Sequence, residues 1–430
     1  ILDPAVVEDY TGRLTAFVEQ FPTIRHIMIY TFDQDSWLCS EFGECPRCSG
    51  VPLHERLPPF LDALQEALQH GRKGTRLWWQ PWELSAGQSY SVMRAVRPEH
   101  FGIVINNSIA ETYASNTTDL WVRNLVRIAS ERGIPVIGEL QFTGCQIGTH
   151  SVQKLPCPRL VYEQADAFYR LDGVIGLREH FGIAASQMSV NTDMFREYVR
   201  NPEAPMQEML RAVAAGYGTA ATRELLTAWE LSSRAVQQIP FEVSYSYCNL
   251  THQSPKHGWD AAVIPAWTWD TPAWETGRRA FYMLTHGGTI HPWLIEDAGL
   301  RMGEAANLFA EAAEWLKKAL DKGVDKADDV RDQIDDLTRL GKSVRGTSLH
   351  LLETIAAYDV RVALKQENAK KLEAACSRLE RLLLQDAENQ GHDAEIEAVY
   401  AAFKADPASW VRVHLQQPNR YDKPVALGAF

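Results

Sequence analysis

Short apolar runs rich in β-branched residues alternate with stretches of helical period through the first two fifths of the chain. "VVEDYTGRLTAFVEQF" repeats its apolar residues at helical spacing, and "HIMIYTF" from His26 then reads as a strand. "LPPFLDALQEALQHG" follows as a helix, with Leu61, Leu64, Ala67 and Leu68 on one face. "TRLWWQPWE" from Thr75 and "FGIVINNS" from Phe101 are the next strands. "TDLWVRNLVRIASERG" is a helix ended by Gly133, and "IPVIGELQF" and "DGVIGLREHFG" complete a series of five strands. Strands alternating with helices at this spacing predict parallel strands joined by right-handed crossovers, in a barrel or a doubly wound sheet.

Each of these strands ends on polar groups: Asp33 and Asp35, Glu83, Asn106 and Asn107, Glu139 and Gln141, Arg178 and Glu179. A closed barrel gathers such ends at one mouth, so the expected fold class is α/β, a (β/α)8 TIM-type barrel. That barrel needs eight strands, and the expectation is that the other three lie upstream of Ile1 or in a piece of the molecule outside this sequence. From about Pro205 the period becomes helical. Tyr245 to Glu275 is a Pro/Trp/His-rich stretch of loop character, and Gly303 to Phe403 predicts long antiparallel helices. The expected organisation is the C-terminal part of a barrel over 1–240, a loop-rich Trp/His segment packing on it over 241–300, and a helical domain over 301–430. The last is a candidate homo-oligomer interface, with charged runs such as "KADDVRDQIDD" as its solvated faces.

Composition narrows the function classes. The chain has 430 residues, 45% hydrophobic and 23% charged, which is ordinary globular usage and makes two domains the default. It holds no uninterrupted apolar run of about 18 residues, so no membrane span is expected. With 55 acidic against 43 basic residues and a net charge of -12, a broad nucleic-acid surface is not expected either. Seven cysteines are too few and too odd in number for a disulfide scaffold. The start at Ile1 shows no leader, and the expectation is that the natural N-terminus lies further upstream. Localisation stays open between periplasmic, secreted and cytoplasmic. Many of the thirteen tryptophans sit in polar contexts such as "DSWLC" and "RLWWQPWEL". Flat aromatic faces beside polar groups suit carbohydrate stacking, with core packing as the competing reading.

Glycosidic cleavage needs one protonated acid and one ionised carboxylate, with environments that separate their pKa values. Asp33 and Asp35, two apart at a strand end, are candidate acids, against a competing role in turn hydrogen bonds. Glu139 and Glu179 are candidates for base or for sugar contacts, against salt bridging to Arg178. Cys39, Cys45 and Cys48 give C-x5-C-x2-C, half of a tetrahedral zinc site; no second pair follows nearby, so free or locally paired thiols are the favoured reading. His252, His257, His286 and His291 lack metal spacing and read as hydrogen-bonding groups.

The order "IMIYTFDQD", "RLWWQPWE", "GIVINNSIAE", "GELQFTG" and "NTDMFREYVRNPEAP" resembles the latter half of the barrel in glycoside hydrolase family 67 α-glucuronidases. More loosely it resembles the wider exo-acting barrel glycosidases that include hexosaminidases. The likeness runs from about Glu8 to Val236. It implies a general acid near Asp33, Gln34 and Asp35, where that family has a glutamate. It implies a base arrangement at "NNSIAE", with Glu111 as the nearest carboxylate, and at "ELQFTGCQ". There Glu139 and Gln141 are kept, and Cys145 stands where a carboxylate is expected.

The resulting expectation is an exo-acting glycoside hydrolase of polysaccharide degradation. Asp33 or Asp35 would be the acid and Glu139, Glu179 or Glu111 the base. Trp37, Trp79 and Trp82 would stack on the sugar, and Glu83, Asn106, Asn107, Gln141 and Arg178 would contact it. The partner is an oligosaccharide or glycoside, with no cofactor. The alternatives are a non-catalytic carbohydrate-binding protein on a degenerate barrel, and a metal-dependent barrel enzyme such as a lyase or aldolase.

Overall fold

The computed structural model of the chain describes residues 1–31, 39, 45–81, 84, 86–106, 118, 120–140, 142, 154–179, 188–239, 292–391, 394–407 and 409–410. They fall into two compact units. The first draws on described residues of 1–142 and 161–182, the second on those of 143–160, 183–266 and 283–430. None of the helices among the described residues is long and apolar enough to cross a membrane.

The first unit alternates helix and strand: α1 (Pro4–Gln20), β1 (His26–Tyr30), α2 (Leu53–Gly71), β2 (Arg76–Gln80), α3 (Ala86–Ala95), β3 (Phe101–Asn106), α4 (Leu120–Glu131), β4 (Val136–Leu140), α5 (Pro158–Tyr169) and β5 (Val174–Glu179). The five strands are parallel and lie in chain order, β1-β2-β3-β4-β5. A doubly wound sheet reverses its order at a switch point, and this one does not reverse.

Strand alternation sorts the side chains into two faces. Leu77, Trp79, Phe101, Ile103, Ile105, Val136 and Leu140 are buried on the helix-covered face. Gly138 belongs there too, because a Cβ on it would come within 2.6 Å of the Phe168 ring of α5. Gly138→Ala is therefore expected to destabilise the protein by about 1–3 kcal/mol through overpacking. Gly176→Ala, which meets nothing within 4 Å, serves as the matched control in urea denaturation.

The other face is concave. Nη1 of Arg178 on β5 donates to Sδ of Met28 on β1. In a flat sheet these edge strands would stand four spacings apart, roughly 19 Å, beyond the combined reach of the two side chains. The sheet must therefore curl until its edges face one another, the sense of curvature that closes a barrel. The edges themselves are not sealed: β1 is exposed at His26 and half-buried from Ile27 to Tyr30, and Ile175 of β5 is 66% exposed.

In the second unit come α6 (Val190–Arg200), α7 (Met206–Ala215), α8 (Thr222–Gln238), α9 (Pro292–Lys322), α10 (Ala327–Lys365), α11 (Ala369–Gln390) and α12 (Ala394–Ala405). The short link between α9 and α10 makes them an antiparallel hairpin, with α8 against α9 and α11 against α10. Alanines 305, 306, 312 and 313 of α9 are buried, so the hairpin packs closely. Gly303 fits there because a Cβ would lie 3.0 Å from the Ser348 hydroxyl. Leu349, Ala356, Val360, Leu379 and Leu383 join α10 to α11 at the spacing their apolar period predicts.

A partly buried polar network ties this unit together. Asp329 of α10 accepts from Lys154 Nζ at 2.9 Å, from the Tyr217 hydroxyl at 2.6 Å and from Gln333 Nε2 at 3.0 Å. Gln333 in turn accepts from Trp229 Nε1 at 3.0 Å. Burial and the neighbouring Asp329 carboxylate push the Tyr217 phenol well above its ordinary pKa, so it serves this network as a donor.

Candidate functional site

Parallel partners present their side chains on the same side of a sheet, and the register sets out two polar groups toward the carboxyl ends of the strands, joined into one layer by the Gln80–Glu139 hydrogen bond. Tyr30 pairs with Gln80, Asn106 with Glu139, and Glu139 with Arg178. All five lie on the concave face, at the last or next-to-last position of their strands. Each strand thus ends on one inward polar group where an apolar run would otherwise continue.

Glu139 is the centre of the layer and is 0% exposed. Its Oε2 meets Nε of Arg178 at 3.0 Å, and its Oε1 accepts from Nε2 of Gln80, two strands away. Curvature makes the second contact possible. A carboxylate held between a guanidinium and an amide has a fixed rotamer, and the surrounding Tyr30, Gln80 and Asn106 supply both donors and acceptors. Such an assortment matches a hydroxyl-rich ligand better than an apolar or polyanionic one.

Of the other residues singled out in the sequence, Glu179 is registered with Leu140, on the opposite face from Glu139, and its Oε1 accepts the Phe142 backbone N–H at 3.4 Å. Trp79 also faces the helices. It is fully buried, donates from Nε1 to the Thr31 hydroxyl at 2.6 Å and packs beside Phe101, so it fills the core. Asp33, Asp35, Trp37, Trp82, Glu83, Asn107, Glu111, Gln141 and Cys145 lie outside the described residues, as do His252, His257, His286 and His291. Tyr30 and Gln80 were missed by sequence reasoning. Strand parity could have found both, since each closes an apolar run on the same side as Asn106 and Glu139.

The cysteine motif also comes together. The thiols of Cys39, Cys45 and Cys48 lie within 4.8 Å of one another, in the connection from β1 to α2. Backbone N–H groups of Arg47 and Cys48 donate to the Cys45 sulfur and bring its pKa down to about 7, whereas burial raises that of Cys39. Cys157, in the second unit, is fully buried and pushed up to about 12. It takes no part in this cluster.

No protein-family model and no curated protein matches the sequence. Among solved structures, the fold is similar to that of a GH138 enzyme targeting pectin rhamnogalacturonan II, with a TM-score of 0.59 at 9% identity. The likeness covers 91% of this chain and 48% of that one, so the chain spans about half the length of its structural neighbour. At this identity what is shared is the fold: an α/β unit with a parallel sheet, continued by helices.

Proposed function

We propose that the chain is the carbohydrate-active portion of an exo-acting glycoside hydrolase, with the concave polar layer as the floor of its sugar site. The observation that carries this reading is that layer itself. Five parallel strands of a curled sheet each end on an inward polar group, in a fold similar to that of a pectin-directed glycoside hydrolase. The curl that brings Arg178 of β5 to Met28 of β1, together with the half-exposed edges of those two strands, supports completion to a (β/α)8 barrel by strands beyond the five described.

In this reading Asp33 or Asp35, carried on the connection after β1, protonates the leaving oxygen, and Glu139 or Glu111 supplies the ionised carboxylate. Trp37 and Trp82 provide the stacking faces. Arg178 and Asn106 bind sugar hydroxyls or a sugar carboxylate. Both the family 67 resemblance and the pectin-directed neighbour point to glycosides containing uronic acids as the first substrates to try.

The test is hydrolysis of an aryl glycoside panel, including uronides, and of pectin fragments, by the native chain and by Asp33→Asn and Asp35→Asn separately. Turnover that collapses in one of the two variants supports the assignment; turnover unchanged in both removes it. The tight engagement of Glu139 by Arg178 and Gln80 favours a second reading, a carbohydrate-binding protein without catalysis. Calorimetry showing sugar binding with no product formed by the native chain would select it.

A further inference from the structure

The geometry points to a metal site formed by Cys39, Cys45 and Cys48, of the class that takes zinc or another thiophilic divalent ion. Nothing in the proposed sugar chemistry requires it. Sulfurs around a tetrahedral ion bonded at ~2.3 Å stand roughly 3.8 Å apart, so thiols already within 4.8 Å of one another need only a small inward movement. A disulfide would need a single close pair, whereas here three thiols converge and all are free.

The backbone is shaped for the same end. The Cys45 carbonyl accepts from the N–H groups of Cys48 at 3.3 Å and Ser49 at 2.9 Å, closing the turn. Gly50, with φ at 75°, takes the left-handed conformation that releases the chain toward α2.

The second, independent observation is Arg56, in α2. Its side chain is only 2% exposed, Nε donates to the Val51 carbonyl at 3.2 Å, and Nη2 donates to the Cys39 carbonyl. Its buried Nη1 has no hydrogen-bond partner among the described residues. A buried guanidinium with a spare N–H is costly unless negative charge lies close by. Three thiolates around a divalent ion carry a net charge of one minus, which this arginine balances. As each metal–sulfur bond forms, the thiol proton passes to solvent, and no oxidation is involved. The fourth position is left for an oxygen or nitrogen donor.

Metal analysis of the full chain, purified under reducing conditions without chelator, is expected to give about one zinc per chain. Replacement by cobalt(II) should produce the absorption of tetrahedral thiolate coordination. Cys45→Ser and Cys48→Ser should each abolish that absorption, and Cys376→Ser should preserve it. Arg56→Met should weaken zinc binding about 10- to 100-fold, as loss of a partner beyond the ligands themselves does. Because cysteine variants can misfold, thiol titration of the native chain gives a second readout: three thiols should become reactive when chelator is added. If the reduced native chain takes up no zinc when supplied with excess metal, or if the Cys45→Ser/Cys48→Ser double variant keeps its full metal content, the site does not exist.

Discussion

Glu139→Ala is expected to lower stability by about 3 kcal/mol, the lower end of what breaking a buried ion pair costs. The substitution strips both Arg178 and Gln80 of their acceptor in the middle of the concave layer. Arg178 keeps 29% of its side chain in contact with solvent, which limits the penalty. Urea denaturation of the two proteins measures it. The Glu139→Leu/Arg178→Met double variant removes both charges together and should return to within about 1 kcal/mol of the native protein, since apolar replacement of a whole buried pair is often neutral. That double variant separates structure from function. If the layer binds sugar, it folds but gives no heat on titration with glycosides; if it still binds or turns over substrate, the pair is only a fastening of the sheet.

Asp329→Ala should destabilise the helical unit by a similar amount, about 3 kcal/mol, through the loss of one acceptor shared by three donors. Lys154 and Tyr217 would both be left facing a space that water enters poorly. For a unit of this size the thermal midpoint should fall by about 6–12 °C. Asp328→Ala is the control: that side chain is 98% exposed, and its ion pair with Arg331 lies in water, so the change should stay within about 0.5 kcal/mol. Scanning calorimetry of the three proteins decides the matter. Equal midpoints for Asp329→Ala and Asp328→Ala would mean that the network contributes nothing.

The secondary structure was legible because local pattern sets it. "IMIY", "LWW" and "GIVIN" could be read as strands from their apolar runs, and Leu349 to Leu383 as helices from period alone. The α/β class followed from alternation. Curvature was not legible, because it depends on contacts such as Arg178 to Met28 between residues 150 positions apart. The pairing of Glu139 with Arg178 was weighed only as a competing possibility, since it requires knowing that β4 and β5 are neighbours in register. Glu179 and Trp79 show the opposite limit. Both looked like site residues by type, and a one-residue difference in strand parity puts them on the helix-covered face. The third cysteine, Cys39, was set apart by its five-residue spacing, which says nothing of how a loop returns.

The same parity gives the chain two optical reporters one residue apart. Trp78 stands on the concave face, donating from Nε1 to His26 at 3.0 Å with Arg76 over its ring, whereas Trp79 is sealed against the helices. Emission from Trp78 is expected to respond to changes at the amino-terminal end of the concave face, where His26 and Arg76 open their strands, and emission from Trp79 to separation of the sheet from its helices. Difference spectra against Trp78→Phe and Trp79→Phe resolve the two among thirteen tryptophans. Events on the concave face and loss of the helix-covered core are thus read from opposite sides of a single strand.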